Sequence, residues 1–224
     1  MNNFPRILAH RGASGLEFEN SMAAFRAARE AGADGGELDI HLTGDGALLV
    51  HHDPDVPGLG PIRLASLESL RRAPLPNAEA IPTLHEALAE LGGLEVWIEL
   101  KGLPAEGDPM LLETLARSPT PAQCAVHSFD HRIIARLGRK QAGLRRGILS
   151  TSYPVDPVGP MQAVGATVLW QAWPLIDAQL VEAVHRTGGE VVAWTVNDAK
   201  VAGGLTQLGI DALCGNYPDR LRAR

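Results

Sequence analysis

Short β-rich runs alternate with helical patterns along almost the whole of this 224-residue chain. The β-rich runs are RILAH (6–10), GGELDIHL (35–42), ALLVHH (47–52), LEVWIELK (94–101), AQCAVHSF (122–129), LRRGILS (144–150), TVLWQAW (167–173), EVVAWTVN (190–197) and IDALCG (210–215). Helices are predicted for SMAAFRAAREAG, capped by Asn20 or Ser21 and stopped at Gly32, and for TLHEALAELGG behind a capping box of Thr83 and Glu86. Further helices follow Asp130 (HRIIARLGRK), Asp177 (AQLVEAVHRTGG) and the strand ending at Asn197 (DAKVAGGLTQLG). Strand followed by helix, repeated, predicts a parallel sheet.

One pair of runs breaks the pattern. Residues 37–42 and 47–52 are joined only by Thr43-Gly44-Asp45-Gly46, whereas a parallel crossover needs about a dozen residues. They must form an antiparallel hairpin, and Asp-Gly is a favoured dipeptide for its turn. Without the hairpin arm, eight strand–helix units remain, the count of a (β/α)8 TIM barrel. No Pro/Gly/Ser linker divides the chain, so residues 1–224 are expected to form a single domain. The proline-rich stretch 53–82 reads as an excursion between strand 2 and its helix, with a short helix at SLESLRR.

Charge and composition narrow the partners. A formal net charge of −6 argues against a nucleic-acid or anionic-membrane footprint, which would need a basic stripe. No run approaches the roughly 18 apolar residues of an integral membrane segment. The start, MNNFPRILAHRG, lacks a basic region followed by an apolar one, which makes the cytoplasm the expected location. Cys124 and Cys214 have no metal-ligand spacing and read as small buried hydrophobes.

In such barrels, chemistry sits at the C-terminal ends of the strands. Strand 1 ends in His10-Arg11, strand 2 carries Glu37 and Asp39 on one side, and the hairpin returns His51, His52 and Asp53. Strand 3 ends in Glu99-Leu100-Lys101, strand 4 in His127-Ser128 and strand 7 in Trp194-Thr195-Val196-Asn197. Glu37, Asp39 and Glu99 form an oxygen-only set of the kind hard divalent cations prefer: Mg²⁺ or Ca²⁺, with Mn²⁺ as a further candidate. The competing reading pairs these acids with Arg11 and Lys101 as buried ion pairs, but three acids against two bases leave one over. His10 and His52, beside the carboxylates, suit general acid–base catalysis. The remaining histidines, His41, His51, His85, His127, His131 and His185, read as structural, although His127 lies at a strand end. His51 is expected to face away from His52, and Trp170 and Trp173 could either face substrate or cap the barrel. A cation with Arg11, Lys101 and two histidines is what cleavage of a small phosphodiester substrate requires.

These landmarks resemble the glycerophosphodiester phosphodiesterase family. HRGASGLEFENS is similar to its HRG…EN[TS] opening, and Gly32 to Pro54 to its E-x-D…DG…HDP block. IPTLHEAL, Glu99 to Lys101, Ser128 to Asp130, WTVN and Gly215 to Asp219 follow in the family's order. The resemblance implies a TIM barrel, one divalent cation, and hydrolysis of glycerophosphodiesters to an alcohol and sn-glycerol 3-phosphate, within lipid and glycerol metabolism. It implies metal ligation by Glu37, Asp39 and Glu99, acid–base roles for His10 and His52, and phosphate contacts from Arg11 and Lys101. It further implies an apolar wall at Trp194 and supporting roles for Glu19 and Asn20. The chain departs from the pattern at Phe18 (usually proline), at Gly36 and at His51 (usually apolar). Phe18 and His51 put the shape of the pocket rim in question.

Rival readings remain on the same scaffold. A lysophospholipase D-like enzyme would need a longer apolar groove in the 53–82 excursion or around Trp170 and Trp173. An inactive barrel that only binds glycerol phosphate would have no need of both histidines. An amidohydrolase would normally carry H-x-H at the end of strand 1, where this chain has His10-Arg11-Gly12. The oligomeric state is not legible.

Overall fold

The computed structural model describes residues 4–221; readings that draw on Met1–Asn3 or on the last three residues lie outside the described residues. Eight parallel strands follow one another around a closed sheet: β1 (Arg6–His10), β2 (Gly35–Leu42), β3 (Glu95–Leu100), β4 (Cys124–Ser128), β5 (Arg145–Ser150), β6 (Val168–Ala172), β7 (Glu190–Trp194) and β8 (Ala212–Gly215). Each pairs with the next, and β1 pairs with both β2 and β8, which closes the barrel. Eight helices alternate with them: α1 (Met22–Glu30), α2 (Leu84–Glu90), α3 (Asp108–Ala116), α4 (His131–Lys140), α5 (Gly159–Val164), α6 (Ala178–Arg186), α7 (Ala199–Gln207) and α8 (Pro218–Leu221). The expected (β/α)8 architecture is present.

Three of those helices have no counterpart in the sequence periodicity. α5 has six residues and α8 has four, too few to display a 3.6-residue repeat. α3 places Met110 in solvent directly beside buried Leu111, which blurs its apolar stripe. The caps are better behaved. Thr83 and Glu86 form the predicted capping box, and Asp130 and Asp177 accept backbone N–H bonds at the starts of α4 and α6. Ser21, not Asn20, caps α1, accepting from Ala24 N; Asn20 is left for other work.

Alternation along each strand sorts the core into two shells. Ile7, Leu38, Ile98, Val126 and Leu213 face outward and pack beneath the helices with Phe25, Leu84 and Leu180. Leu8, Trp97, Leu149, Trp170 and Val192 face the barrel interior. Trp97 and Trp170 meet edge-on with ring centroids 5.2 Å apart, filling the interior as a solid core. Losing either ring to alanine would cost about 3–5 kcal/mol.

The hairpin forms as its loop length requires, with Ile40 opposite Val50 and Leu42 opposite Leu48. Its return strand is only Leu48–Val50, shorter than the 47–52 run, with His51 N still donating to Asp39 O at 3.1 Å just past its end. The excursion after it carries a helical turn, Leu67–Leu70, capped by Ser66, as SLESLRR suggests. It also has a core of its own, in which Val56, Ile62, Leu70, Leu75 and Ile81 pack on Leu49. Among the described residues no helix is long and apolar enough to cross a membrane.

Candidate active site

Strand register assembles the site before any side chain is considered. His10 lies opposite Glu37 across β1–β2, Asp39 opposite Glu99 across β2–β3, and Glu99 opposite His127 across β3–β4. Ligand atoms of Glu37, Asp39 and Glu99 consequently lie within 4.8 Å of one another, and all three residues are buried. His10, Arg11, Glu37, His52, Glu99 and Lys101 line a common cavity of about 80 Å³. Its far side is apolar, formed by Phe129, Leu149, Trp170 and Trp194. A larger open groove of about 1040 Å³, along the hairpin turn and α3, shares none of these residues.

The loop after β1 needs unusual backbone. Arg11 and Asn20 both adopt left-handed φ values of 55°, which cost energy for residues with a Cβ and tend to persist at functional sites. Gly12, with φ 78°, packs so closely that a Cβ there would sit 2.6 Å from the Ala24 carbonyl carbon. The strained turn lets Asn20 reach the second strand: its Nδ2 donates to Asp39 Oδ2 at 2.8 Å, and Asp39 N donates to Asn20 Oδ1 at 3.3 Å.

Ion pairing and a cation-binding set coexist here, although the sequence presented them as competitors. Arg11 Nη1 holds Glu19 at 2.8 Å and its Nε lies 3.1 Å from Asp39 Oδ2; Lys101 Nζ lies 3.2 Å from Asp39 Oδ1 and 2.9 Å from Glu99 Oε1. Glu37 is the acid left over. It accepts from the Arg11 backbone N–H at 3.1 Å and faces His127 Nε2 at 3.6 Å. Arg11 and Lys101 are both engaged with carboxylates in this structure.

Electrostatics separate the three acids. Burial, reinforced by the Asp39 charge, pushes the Glu37 carboxyl up to about 7. Burial together with the charges of Asp39 and Glu37 pushes Glu99 up to about 8. Burial opposes ionisation of Asp39 too, but Lys101, Arg11 and the Asn20 hydrogen bond outweigh it and hold that carboxyl below its usual range. Asp39 Oδ1 is buried and is faced by the Lys101 ammonium at 3.2 Å. An all-oxygen set with this surplus of buried negative charge fits a hard divalent cation, which would relieve the repulsion.

The two histidines hang from different anchors. His10 Nδ1 lies 2.8 Å from Asn216 Oδ1; an amide oxygen can only accept, so Nδ1 carries the hydrogen and Nε2 remains for the cavity. Asn216 is in turn held by its backbone N–H, which donates to Asn197 Oδ1 at 2.8 Å. His52 Nδ1 meets Asp53 Oδ1 at 2.8 Å, and this ring is about a third exposed. His51 and His52 both line the pocket under the excursion, and only His52 also lines the carboxylate cavity.

A scan of family models matches the Glycerophosphoryl diester phosphodiesterase family over residues 10–220. The chain belongs to that family. Its curated relatives include a glycerophosphodiester phosphodiesterase of Caldanaerobacter subterraneus subsp. tengcongensis, 29% identical over 231 residues, 96% of this chain and 95% of the relative. Among solved structures, a phosphodiesterase of Oleispira antarctica, in complex with the product sn-glycerol-3-phosphate, shares 27% identity with a TM-score of 0.83, covering 97% of this chain and 95% of that one. A glycerophosphodiester phosphodiesterase from Parabacteroides distasonis, 24% identical and covering 98% and 95% of the two chains, shares the fold with a TM-score of 0.87. The family match thus takes in every segment from His10 onward that the sequence singled out.

Some parts of the site had escaped the sequence reading. Asn216 stands inside the quoted Gly215 to Asp219 pattern but had been given no role. His127, read as structural, is wholly buried beside Glu37 and meets Trp97 at a tilt and Trp170 edge-on, with burial pushing it down to about 3, so its ring is neutral. Trp170 is buried on the cavity floor while Trp173 is about a third exposed, which separates two residues the sequence treated alike. Trp194 turns its indole N–H into the buried side without a hydrogen-bond partner among the described residues, and Phe129 packs edge-on against its ring at 5.6 Å.

Proposed function

We propose that this chain hydrolyses glycerophosphodiesters to an alcohol and sn-glycerol 3-phosphate. The observation that carries the reading is convergence: three buried carboxylates within 4.8 Å of one another, two cationic side chains and two histidines from separate segments around one small cavity. The product complex of the Oleispira relative supports the same assignment of substrate class.

Glu37, Asp39 and Glu99 would hold one divalent cation, Mg²⁺ or Ca²⁺, with Mn²⁺ as a further candidate. Such a cation supplies charge stabilisation to a phosphoryl oxygen as negative charge builds on it. Arg11 and Lys101 are drawn to the carboxylates in the structure, and a bound phosphate would share their remaining N–H groups. One of His10 and His52 accepts the proton of the attacking hydroxyl as the new P–O bond forms. The other gives a proton to the departing alkoxide as the old P–O bond breaks. Asn216 keeps the His10 ring turned so that Nε2 is the reacting nitrogen. Trp194 and Phe129 wall the cavity and exclude water from its apolar side. Glu19 and Asn20 act indirectly, Glu19 by orienting Arg11 and Asn20 by orienting Asp39. A carrier that only bound glycerol phosphate would not need a histidine from each side of the cavity.

The direct test is a panel of glycerophosphodiesters assayed with Mg²⁺, Mn²⁺ and Ca²⁺ after chelation. Hydrolysis that requires an added divalent ion is expected; undiminished turnover in EDTA would remove the cation from the proposal.

A further inference from the structure

A second pocket, of about 320 Å³, shares His52 with the carboxylate cavity. Its walls are Phe18, Val56, Ala73, Leu75 and Ile81, with prolines from the excursion along its edge. Val56, Leu75 and Ile81 are nearly fully buried and belong to the excursion's own core, so the walls are braced rather than loose. Glu19, Asn20 and His52, all members of the site already described, form the side nearest the carboxylates. Phe18 and His51, two of the positions at which this chain departs from its family's pattern, both line this pocket.

We propose that this pocket is a subsite for the alcohol half of the substrate, and that it selects phosphodiesters whose alcohol carries an apolar chain. The proposal rests on the phosphodiesterase reading above and adds the class of headgroup. The phosphoryl group and glycerol need charge and hydrogen bonds, and the 80 Å³ cavity offers them in Arg11, Lys101 and the carboxylates. The group esterified on the other side of phosphorus must leave that cavity, and the pocket adjoining it at His52 is open, about four times larger and mostly apolar. An alkyl chain would shed water against Val56, Leu75 and Ile81, with the polar residues Glu19, Asn20, His51, His52 and Asp53 along the rest of the lining.

The test compares sn-glycerol 3-phosphodiesters of ethanol, butanol, hexanol and octanol with that of glycerol, each below its micelle concentration so that no lipid surface is presented. kcat/KM is expected to rise with each methylene, by up to about fourfold per fully buried group, and to exceed the glycerol ester at least tenfold by octanol. Ala73→Phe, which fills the pocket from a half-buried position in the excursion, is expected to flatten the series, lowering kcat/KM of the octyl ester more than that of the glycerol ester. A series without slope in the wild type overturns the proposal, as does a slope that survives Ala73→Phe in a folded variant. If Ala73→Phe does not fold, Phe18→Ala at the exposed mouth takes its place and should lower the slope. If no phosphodiester is cleaved with any ion, the enzymatic reading has failed and calorimetry decides the pocket separately. Tighter binding of the octyl than of the glycerol ester supports the subsite, and equal binding overturns it.

Discussion

The two ends of the barrel both carry charge clusters, and they are built on opposite plans. At the N-terminal end Arg6, Glu95, Arg145 and Glu190 close a ring of alternating sign. Arg145 reaches Glu95 at 2.6 Å and Glu190 at 2.8 Å, Arg6 pairs with both acids, and Trp97 Nε1 donates to Glu95 Oε1 at 2.6 Å. Two bases answer two acids. At the C-terminal end three buried acids face two bases, and Glu37 and Glu99 are pushed up towards neutrality. The difference separates a stabilising device from a site held in a costly arrangement for chemistry.

Breaking the C-terminal end should give the largest effects. His10→Ala and His52→Ala are each expected to lower kcat by about 10²–10⁴-fold with little change in thermal stability. Turnover near wild type in either would take that ring out of the acid–base step.

The sharpest contrast comes from removing one carboxylate at each end. Glu99→Gln should abolish activity yet raise the melting temperature of the chelated protein, because it removes a like charge. Glu95→Gln should leave kcat unchanged but cost about 1–2 kcal/mol in denaturant unfolding, because Arg6 and Arg145 lose one of the two acids they share and keep only Glu190. Equal destabilisation by the two variants would erase the distinction between the ends.

pH probes the same imbalance. Glu99 titrates near 8 in the folded, metal-free chain against 4.5 for an ordinary glutamate. The protonated carboxyl is the form the fold favours, so its stabilisation is complete below about 4.5 and is lost as pH rises towards 8. In chelator, stability should therefore decline over that window, and Glu99→Gln should flatten the decline. A profile identical in the two proteins would show that Glu99 does not carry the effect.

Smaller effects test the supports. Asn20→Ala, which frees Asp39, is expected to weaken Mn²⁺ binding about 10–100-fold in a calorimetric titration with the barrel intact. Unchanged affinity would reduce Asn20 to a loop residue. Smallest of all, Thr83→Ala opens the capping box of α2 on the outside of the barrel and should cost about 1 kcal/mol with no effect on turnover.

Much of the fold and of the site was legible beforehand, and for definite reasons. Four residues between two β-runs permit nothing but a hairpin, and a two-residue spacing puts Glu37 and Asp39 on one side of a strand whatever surrounds them. What failed did so where local pattern carries no information. α5 and α8 are too short to show a period, and α3 sets exposed Met110 beside buried Leu111.

Local sequence, then, determined the alternation of strand and helix, the hairpin, most helix caps and the residue types gathered at the strand ends. These depend on spacing and on backbone groups only a few residues apart. Tertiary structure alone decided which acid each base would hold, that Asn216 would brace His10 across 206 positions, and that Glu37 would be left facing a neutral His127. It also decided that the excursion would fold over a core of its own and wall an apolar pocket beside His52. Those outcomes depend on register around a closed barrel, where residues far apart in the chain are brought within hydrogen-bonding distance, and no local pattern encodes that distance.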